Sequence, residues 1–164
     1  MTTDLLAPVR NFDPWARAVA ETIIEMESPN KATVHLIHIF DEAERESTVR
    51  NLGVSDRIPL DELAARKSGT KEATNVVEAA GFETVVHGDE SDSPSQAMLS
   101  SIETHDIDRV YVYSRKRSPV GKAVFGSSIQ DLLFNAPVPV VVLPADAALS
   151  SSAVTKTELT DTES

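Results

Sequence analysis

Five basic residues fall within fourteen positions: Arg109, Arg115, Lys116, Arg117 and Lys122, with no acid between 109 and 122. The whole chain holds 26 acidic against 15 basic residues, a net charge of −11. Local reversal of sign in so acidic a chain points to an anion. Arginine suits a phosphate because its planar fork donates two parallel hydrogen bonds. Four residues past Lys122 stands Gly126-Ser127-Ser128, directly before a helical pattern. A turn of this kind offers backbone N–H groups, hydroxyls and the positive end of a helix dipole to the same anion. The competing reading is a solvated loop that balances nearby acids.

Other chemistry is sparse. His35 and His38 lie three apart in a strand-like run, which sets them on opposite faces. His87 and His105 fall near loop ends without a ligand-spaced partner, so all four histidines read as structural or surface residues and no metal site is expected. Asp89-Glu90-Ser91-Asp92 lacks the glycine and the final glutamate of a calcium loop. There is no Gly-x-Ser-x-Gly elbow, no Walker loop, and no Gly-x-Gly-x-x-Gly after the first strand. With no cysteine, disulfides, thiolate metal sites and thiol nucleophiles are excluded. No acid–base or nucleophile set emerges, and the chain reads as a binding protein, not an enzyme.

Strands and helices must position the basic loop. Asp4 to Val9 reads as a first strand. Asp13 is an expected N-cap with Pro14 at the first helical position. Trp15, Ala18, Val19, Thr22, Ile23 and Met26 then follow the spacing of one helix face, and Ser28-Pro29-Asn30 ends it. Ala32 to Phe40 is a second strand. Asp41 to Arg57 is charged and irregular, and reads as a loop with at most a helical turn. A second helical region runs from Leu60 to Ala80, broken near Ser68-Gly69-Thr70 and stopped by Gly81. Phe82 to His87 is a third strand, followed by an acidic loop from Gly88 to Asp92. Ser93-Pro94 caps a helix with Ala97, Met98, Ser101 and Ile102 inward. Val110 to Tyr113 is a fourth strand. The last helix turns Ile129, Leu132, Leu133 and Ala136 inward, and Val138 to Leu143 is a continuous apolar strand of the parallel, buried kind.

Five strands alternating with four helices predict an α/β, Rossmann-like fold: a doubly wound parallel sheet in order 3-2-1-4-5 with helices on both faces. Ligands in such sheets bind beyond the carboxyl ends of the strands, where strand order reverses. Pro8, Val9 and Arg10 then face Tyr113, Ser114 and Arg115 across one crevice.

Residues 109 to 143, read as strand, phosphate-type loop, Gly-Ser-Ser, helix and strand, resemble the C-terminal half of the universal stress protein (UspA) family. Its ATP-binding members carry Gly-x2-Gly-x9-Gly-Ser/Thr after the fourth strand. Here the spacing is kept, with Tyr113, Lys116 and Gly126 at the three positions and Ser127 next. The basic run with Ser-Pro, a glycine and a final Gly-Ser is most similar to haloarchaeal members, and the resemblance covers roughly residues 4 to 144. It implies a stress-response regulator with ATP or AMP as ligand, and a homodimer formed through the last strand, with Val138, Val140 and Val142 at the contact. It also implies a departure: the family's Pro-x-Asp at the end of the first strand is Pro8-Val9-Arg10 here. An arginine donates where an aspartate accepts. The candidate nucleotide- or anion-binding set is Pro8, Val9, Arg10, Ile39, Tyr113, Ser114, Arg115, Lys116, Arg117, Gly126, Ser127 and Ser128. The alternative is a dimeric interaction or scaffold protein of the same fold that has lost ATP binding.

The chain's 164 residues suit one domain. Residues 1–144 are expected to form it. Residues 145–164, rich in Ser, Thr and acids, read as a disordered tail. The amino end lacks a signal peptide's pattern, and no run is long enough for a membrane span. A cytoplasmic protein with neither nucleic acid nor membrane as partner is expected. The acidity fits a salt-adapted cytosol or an ordinary acidic protein.

Overall fold

The computed structural model describes residues 2–114, 116–117, 123–124 and 126–144. The expected tail at 145–164 lies outside the described residues. The elements are β1 (Thr3–Pro8), α1 (Asp13–Met26), β2 (Ala32–Phe40), α2 (Glu42–Leu52), α3 (Leu60–Ala65), α4 (Ser68–Ala79), β3 (Glu83–Glu90), α5 (Pro94–Thr104), β4 (Arg109–Ser114), β5 (Lys116–Arg117), β6 (Ala123–Val124), α6 (Ser127–Asn135) and β7 (Val140–Pro144).

The main sheet has five strands in the order β3-β2-β1-β4-β7, and every pairing is parallel. This is the expected 3-2-1-4-5 order, with β7 as the fifth strand. β5 and β6 form a separate antiparallel pair between β4 and α6, so the basic loop carries a small ladder that the sequence reading omitted.

Two apolar layers follow from the alternation of side chains along each strand. Leu5, Ala7, Val34 and Leu36 face α1 and α4, where they meet Val19, Ile23, Ala73 and Val77. Leu6, Ile37, Val110 and Val112 face the other way onto Met98, Ile102 and Leu132 of α5 and α6. Each valine, leucine, isoleucine or methionine among them, fully buried, contributes roughly 1.5–3 kcal/mol. A smaller cluster of Phe40, Val49, Leu63 and Ala64 fastens α2 and α3 to the β2–β3 side.

Several local expectations are corrected. Residues 42–52 form a full helix, not a loop. Asp41 caps it by accepting from the Glu44 N–H at 2.7 Å, and Gly53 closes it at φ +65°, a conformation glycine adopts without a Cβ penalty. Among the described residues there are thus six helices, not four. The break in the second helical region falls at Arg66-Lys67, just before the expected triplet. Asn11 fixes it: its Oδ1 accepts from the Gly69 N–H at 3.2 Å and the Ser68 hydroxyl at 2.7 Å. β3 continues through Gly88, Asp89 and Glu90, because β2 keeps pairing with it as far as Phe40 and Glu90.

The cap of α1 is Phe12, in extended conformation, and Asp13 is the first helical residue. Met26 is 57% exposed at the end of α1, and Leu133 is exposed on α6. Val138 precedes the last strand, which begins at Val140, and β7 is a half-buried edge instead of a fully buried strand. Trp15 is half-buried. Ser93 caps α5 by accepting from the Gln96 N–H, and Ala97, Met98, Ser101 and Ile102 are all buried as the spacing predicts.

Candidate functional site

A cleft of about 610 Å³ opens at the carboxyl ends of β1 and β4, where strand order reverses. That volume suits a small organic ligand. Pro8, Val9 and Arg10 line one side, and Tyr113 closes the floor beside them. Ile39 of β2 also lines it, as do Gly126, Ser127 and Ser128. Ser114 is buried at the end of β4 and is absent from the lining. Arg115 lies outside the described residues. Lys116 and Arg117 are described only as backbone in β5. Arg109 stands at the opposite end of β4, about 13 Å from Tyr113 at the usual rise per residue, and is bound to Glu27. It belongs to the core's edge and not to the cleft.

Gly126 caps α6 in extended backbone. The first bond of the helical ladder is Gln130 N–H to the Gly126 carbonyl at 3.0 Å. The N–H groups of Gly126, Ser127, Ser128 and Ile129 therefore precede the ladder and have no partner inside the helix. Gly126 has no side chain of its own to cap them, and the first turn carries no acid. The positive end of α6 thus opens into the cleft.

The facing wall is acidic, which the sequence reading missed. Asp41, Glu44 and Asp92 line it together with His38. His38 Nε2 lies 2.6 Å from Glu44 Oε2, and Lys67 Nζ lies 3.2 Å from the same oxygen. Burial pushes the Glu44 carboxyl up, but the His38 hydrogen bond and charge, joined by Lys67, outweigh it and hold the group below the ordinary carboxylate range. Glu44 is therefore an anion fixed by two partners. The signal for this wall was present as Asp41-x-x-Glu44, a helix-start signature.

The expectation that His87 and His105 have no ligand-spaced partner is corrected by the fold. His35, His87 and His105 converge away from the cleft, each with one ring nitrogen within 4.8 Å of the others'. His87 is lowered to about 4, first by burial and then by the neighbouring His105 and His35, with Asp61 acting the other way. His38 lies elsewhere, as the parity of β2 requires.

No described helix is long and apolar enough to cross a membrane. Three solved structures share the fold at low identity. A universal stress protein from Archaeoglobus fulgidus aligns with a TM-score of 0.62 at 21% identity, over 87% of this chain and 98% of its own. The universal stress protein from Archaeoglobus fulgidus in complex with dAMP aligns at 0.59 and 16%, over 85% and 96%. A universal stress protein family protein from Arabidopsis thaliana with AMP bound aligns at 0.58 and 13%, over 87% and 91%. No curated protein sequence matches the chain significantly. The model of the universal stress protein family matches residues 1–144. The sheet order, the cleft at its reversal point and this match lead to one conclusion: the chain belongs to the universal stress protein family.

Proposed function

We propose that this protein is a stress-response regulator that binds a nucleotide, ATP or AMP, in the switch-point cleft and acts by binding instead of turnover. The observation that carries the reading is the open N-terminus of α6 facing a wall of carboxylates across about 610 Å³. Phosphate goes to the N–H groups of Gly126, Ser127 and Ser128, with Arg115, Lys116 and Arg117 supplied by the adjoining loop. The nucleoside lies along Pro8, Val9, Ile39 and Tyr113, and Asp41 or Asp92 accepts from sugar hydroxyls. Arg10, exposed at the rim, adds positive charge where the family pattern has an acid. The relatives solved with dAMP and AMP support a nucleotide as the ligand class.

The working domain in this reading is residues 1–144, with 145–164 as an appendage. The protein acts in the cytoplasm as a homodimer built on β7, and its acidity suits a salt-rich, haloarchaeal-type cytosol. A second reading, a scaffold without nucleotide, is favoured by one observation: the Tyr113 side chain occupies cleft floor where the family motif has glycine.

Calorimetry with ATP, AMP and inorganic phosphate separates the two. ATP is expected to bind more tightly than phosphate, and Gly126→Asp to abolish binding by placing a carboxylate at the anion's position. Gly126→Ala is the control, since a Cβ there meets nothing within 4 Å. Equal binding of ATP and phosphate reduces the site to an anion cradle. No binding to the wild type supports the scaffold.

A further inference from the structure

We propose that His35, His87 and His105 form a binding site for one transition-metal ion of the zinc, cobalt and nickel class. The site lies on the α5 face of the sheet, separate from the nucleotide cleft.

The register of the sheet brings these residues together. Ile37 of β2 pairs with His87 of β3. His35 and Ile37 share a face because strand side chains alternate, so His35 and His87 are diagonal neighbours on it. His105 follows α5 as its C-cap and lies over the same face. His35 Nδ1 is 2.9 Å from His87 Nε2. The His87 and His105 rings stack with centroids 3.9 Å apart. The three ligand atoms lie within 4.8 Å of one another. A tetrahedral ion with metal–nitrogen bonds of about 2.0–2.1 Å holds its ligands about 3.3 Å apart. The cluster therefore closes on an ion by shifts of a few tenths of an ångström at one contact and about 1.5 Å at the widest.

The surrounding groups favour coordination over simple packing. His35 Nε2 is 2.9 Å from Asp4 Oδ1. A carboxylate accepts, so this nitrogen carries the proton and Nδ1 presents its lone pair to His87. That is the arrangement of carboxylate, histidine and metal in which the outer carboxylate fixes the tautomer and raises the basicity of the ligand. Asp4 is itself anchored through Asp108, whose Oδ2 accepts from the Asp4 N–H at 2.8 Å. Without metal, His87 Nε2 donates to His35 Nδ1. With metal, His87 moves that proton to Nδ1, the other neutral tautomer, and Nε2 turns to the ion. Three imidazoles without a thiolate suit zinc, cobalt, nickel or copper better than magnesium or calcium. A cavity of about 220 Å³ adjoins His87 and His105 and contains Asp61. It leaves room for water or the Asp61 carboxylate in the fourth position.

Full-length protein without a purification tag, stripped by chelator, is titrated with Co²⁺ and then Zn²⁺. One equivalent of Co²⁺ per chain is expected to give a visible d–d band, which Zn²⁺ bleaches. Zn²⁺ is also expected to raise the melting temperature by mass action. His105→Gln and His87→Gln should each weaken Zn²⁺ binding by more than about tenfold, and Asp4→Asn, acting on His35, by roughly 10–100-fold. Metal-free melting curves establish that each variant folds; if His87→Gln does not, His105→Gln at the half-buried end of α5 carries the test. Absence of saturable one-to-one binding overturns the proposal. So does affinity unchanged in folded His105→Gln, which reduces the cluster to a hydrogen-bonded histidine stack.

Discussion

Arg109 holds Glu27 in a bidentate grip. Its Nε donates to Oε2 at 2.9 Å and its Nη2 to Oε1 at 2.8 Å, and the Tyr111 hydroxyl donates to Oε2 at 2.5 Å. Glu27 follows α1 and its side chain is 8% exposed; Arg109 opens β4. The pair therefore ties the end of the first helix to the central sheet. Glu27→Gln keeps the shape but loses charge-assisted acceptance, at a cost of about 1.5–3 kcal/mol. For a chain of this length the melting temperature should fall about 2–4 °C per kcal/mol. Arg109→Lys should also destabilise, keeping only part of the interaction, because lysine cannot form the fork. Thermal melts of the three proteins check this.

The same cluster sets a pH dependence. The Arg109 hydrogen bond, opposed by burial and aided by Tyr111, holds the Glu27 carboxyl below its ordinary value of 4.5. A depressed carboxyl contributes fully above its unfolded value and loses that contribution as pH falls through the folded one. The stability gap between wild type and Glu27→Gln should thus be widest near neutrality and shrink below about pH 4.5. Burial, with the Glu27 contact next, pushes Tyr111 up to about 12 from 10.0. Its contribution is full below pH 10.0 and is lost as pH rises toward about 12. Urea titrations across pH compare the proteins.

Gly69 and Gly88 are required by close approach. A Cβ at Gly69 would overlap the carbonyl oxygen of Arg10, and one at Gly88 the carbonyl oxygen of Leu60. Each alanine substitution should cost about 1–3 kcal/mol by overpacking. Gly69→Ala should also weaken ligand binding, since it pushes on the loop that carries Arg10 and Asn11 into the cleft. Denaturation and nucleotide calorimetry on both variants separate the effects, with Gly88→Ala, which does not line the cleft, expected to lower stability without changing nucleotide binding.

Assembly is testable at β7. Among the described residues this strand has one neighbour, β4, and Phe134 on α6 is 82% exposed nearby. An apolar edge invites pairing with a second copy. Light scattering should give twice the chain mass for the wild type and a shift toward monomer for Phe134→Glu. A wild-type monomer at micromolar concentration rules the dimer out.

The sheet order and the core helices were legible because their signals are local. Ile23 and Val19 fall at helical spacing, Ser93-Pro94 marks a helix start, and Gly81 marks a stop. α2 was missed because its residues are mostly charged or polar, so its apolar face is too narrow to read as periodicity. Its caps, Asp41 and Gly53, were readable. The histidine cluster was illegible for a different reason. Positions 35, 87 and 105 meet only through the β2–β3 register and the placing of α5, and neither is written in the spacing between them. The cleft's lining was readable from topology on the β1 and β4 sides, but its acidic wall depended on α2.

Trp15 is the chain's single tryptophan. Its ring lies 4.7 Å from that of Tyr113, on the cleft floor, and 4.5 Å from that of Phe12. The molecule thus carries its own optical probe. Excitation of the one indole reads a single place, without averaging over several emitters or attaching a dye. A ligand settling on Tyr113 changes the polarity and ring contacts felt by that indole, so its emission maximum and intensity follow occupancy in real time. Stopped-flow fluorescence then yields entry and exit rates for each nucleotide directly. Emission deaf to a ligand that calorimetry sees binding would place that ligand somewhere other than beside Tyr113.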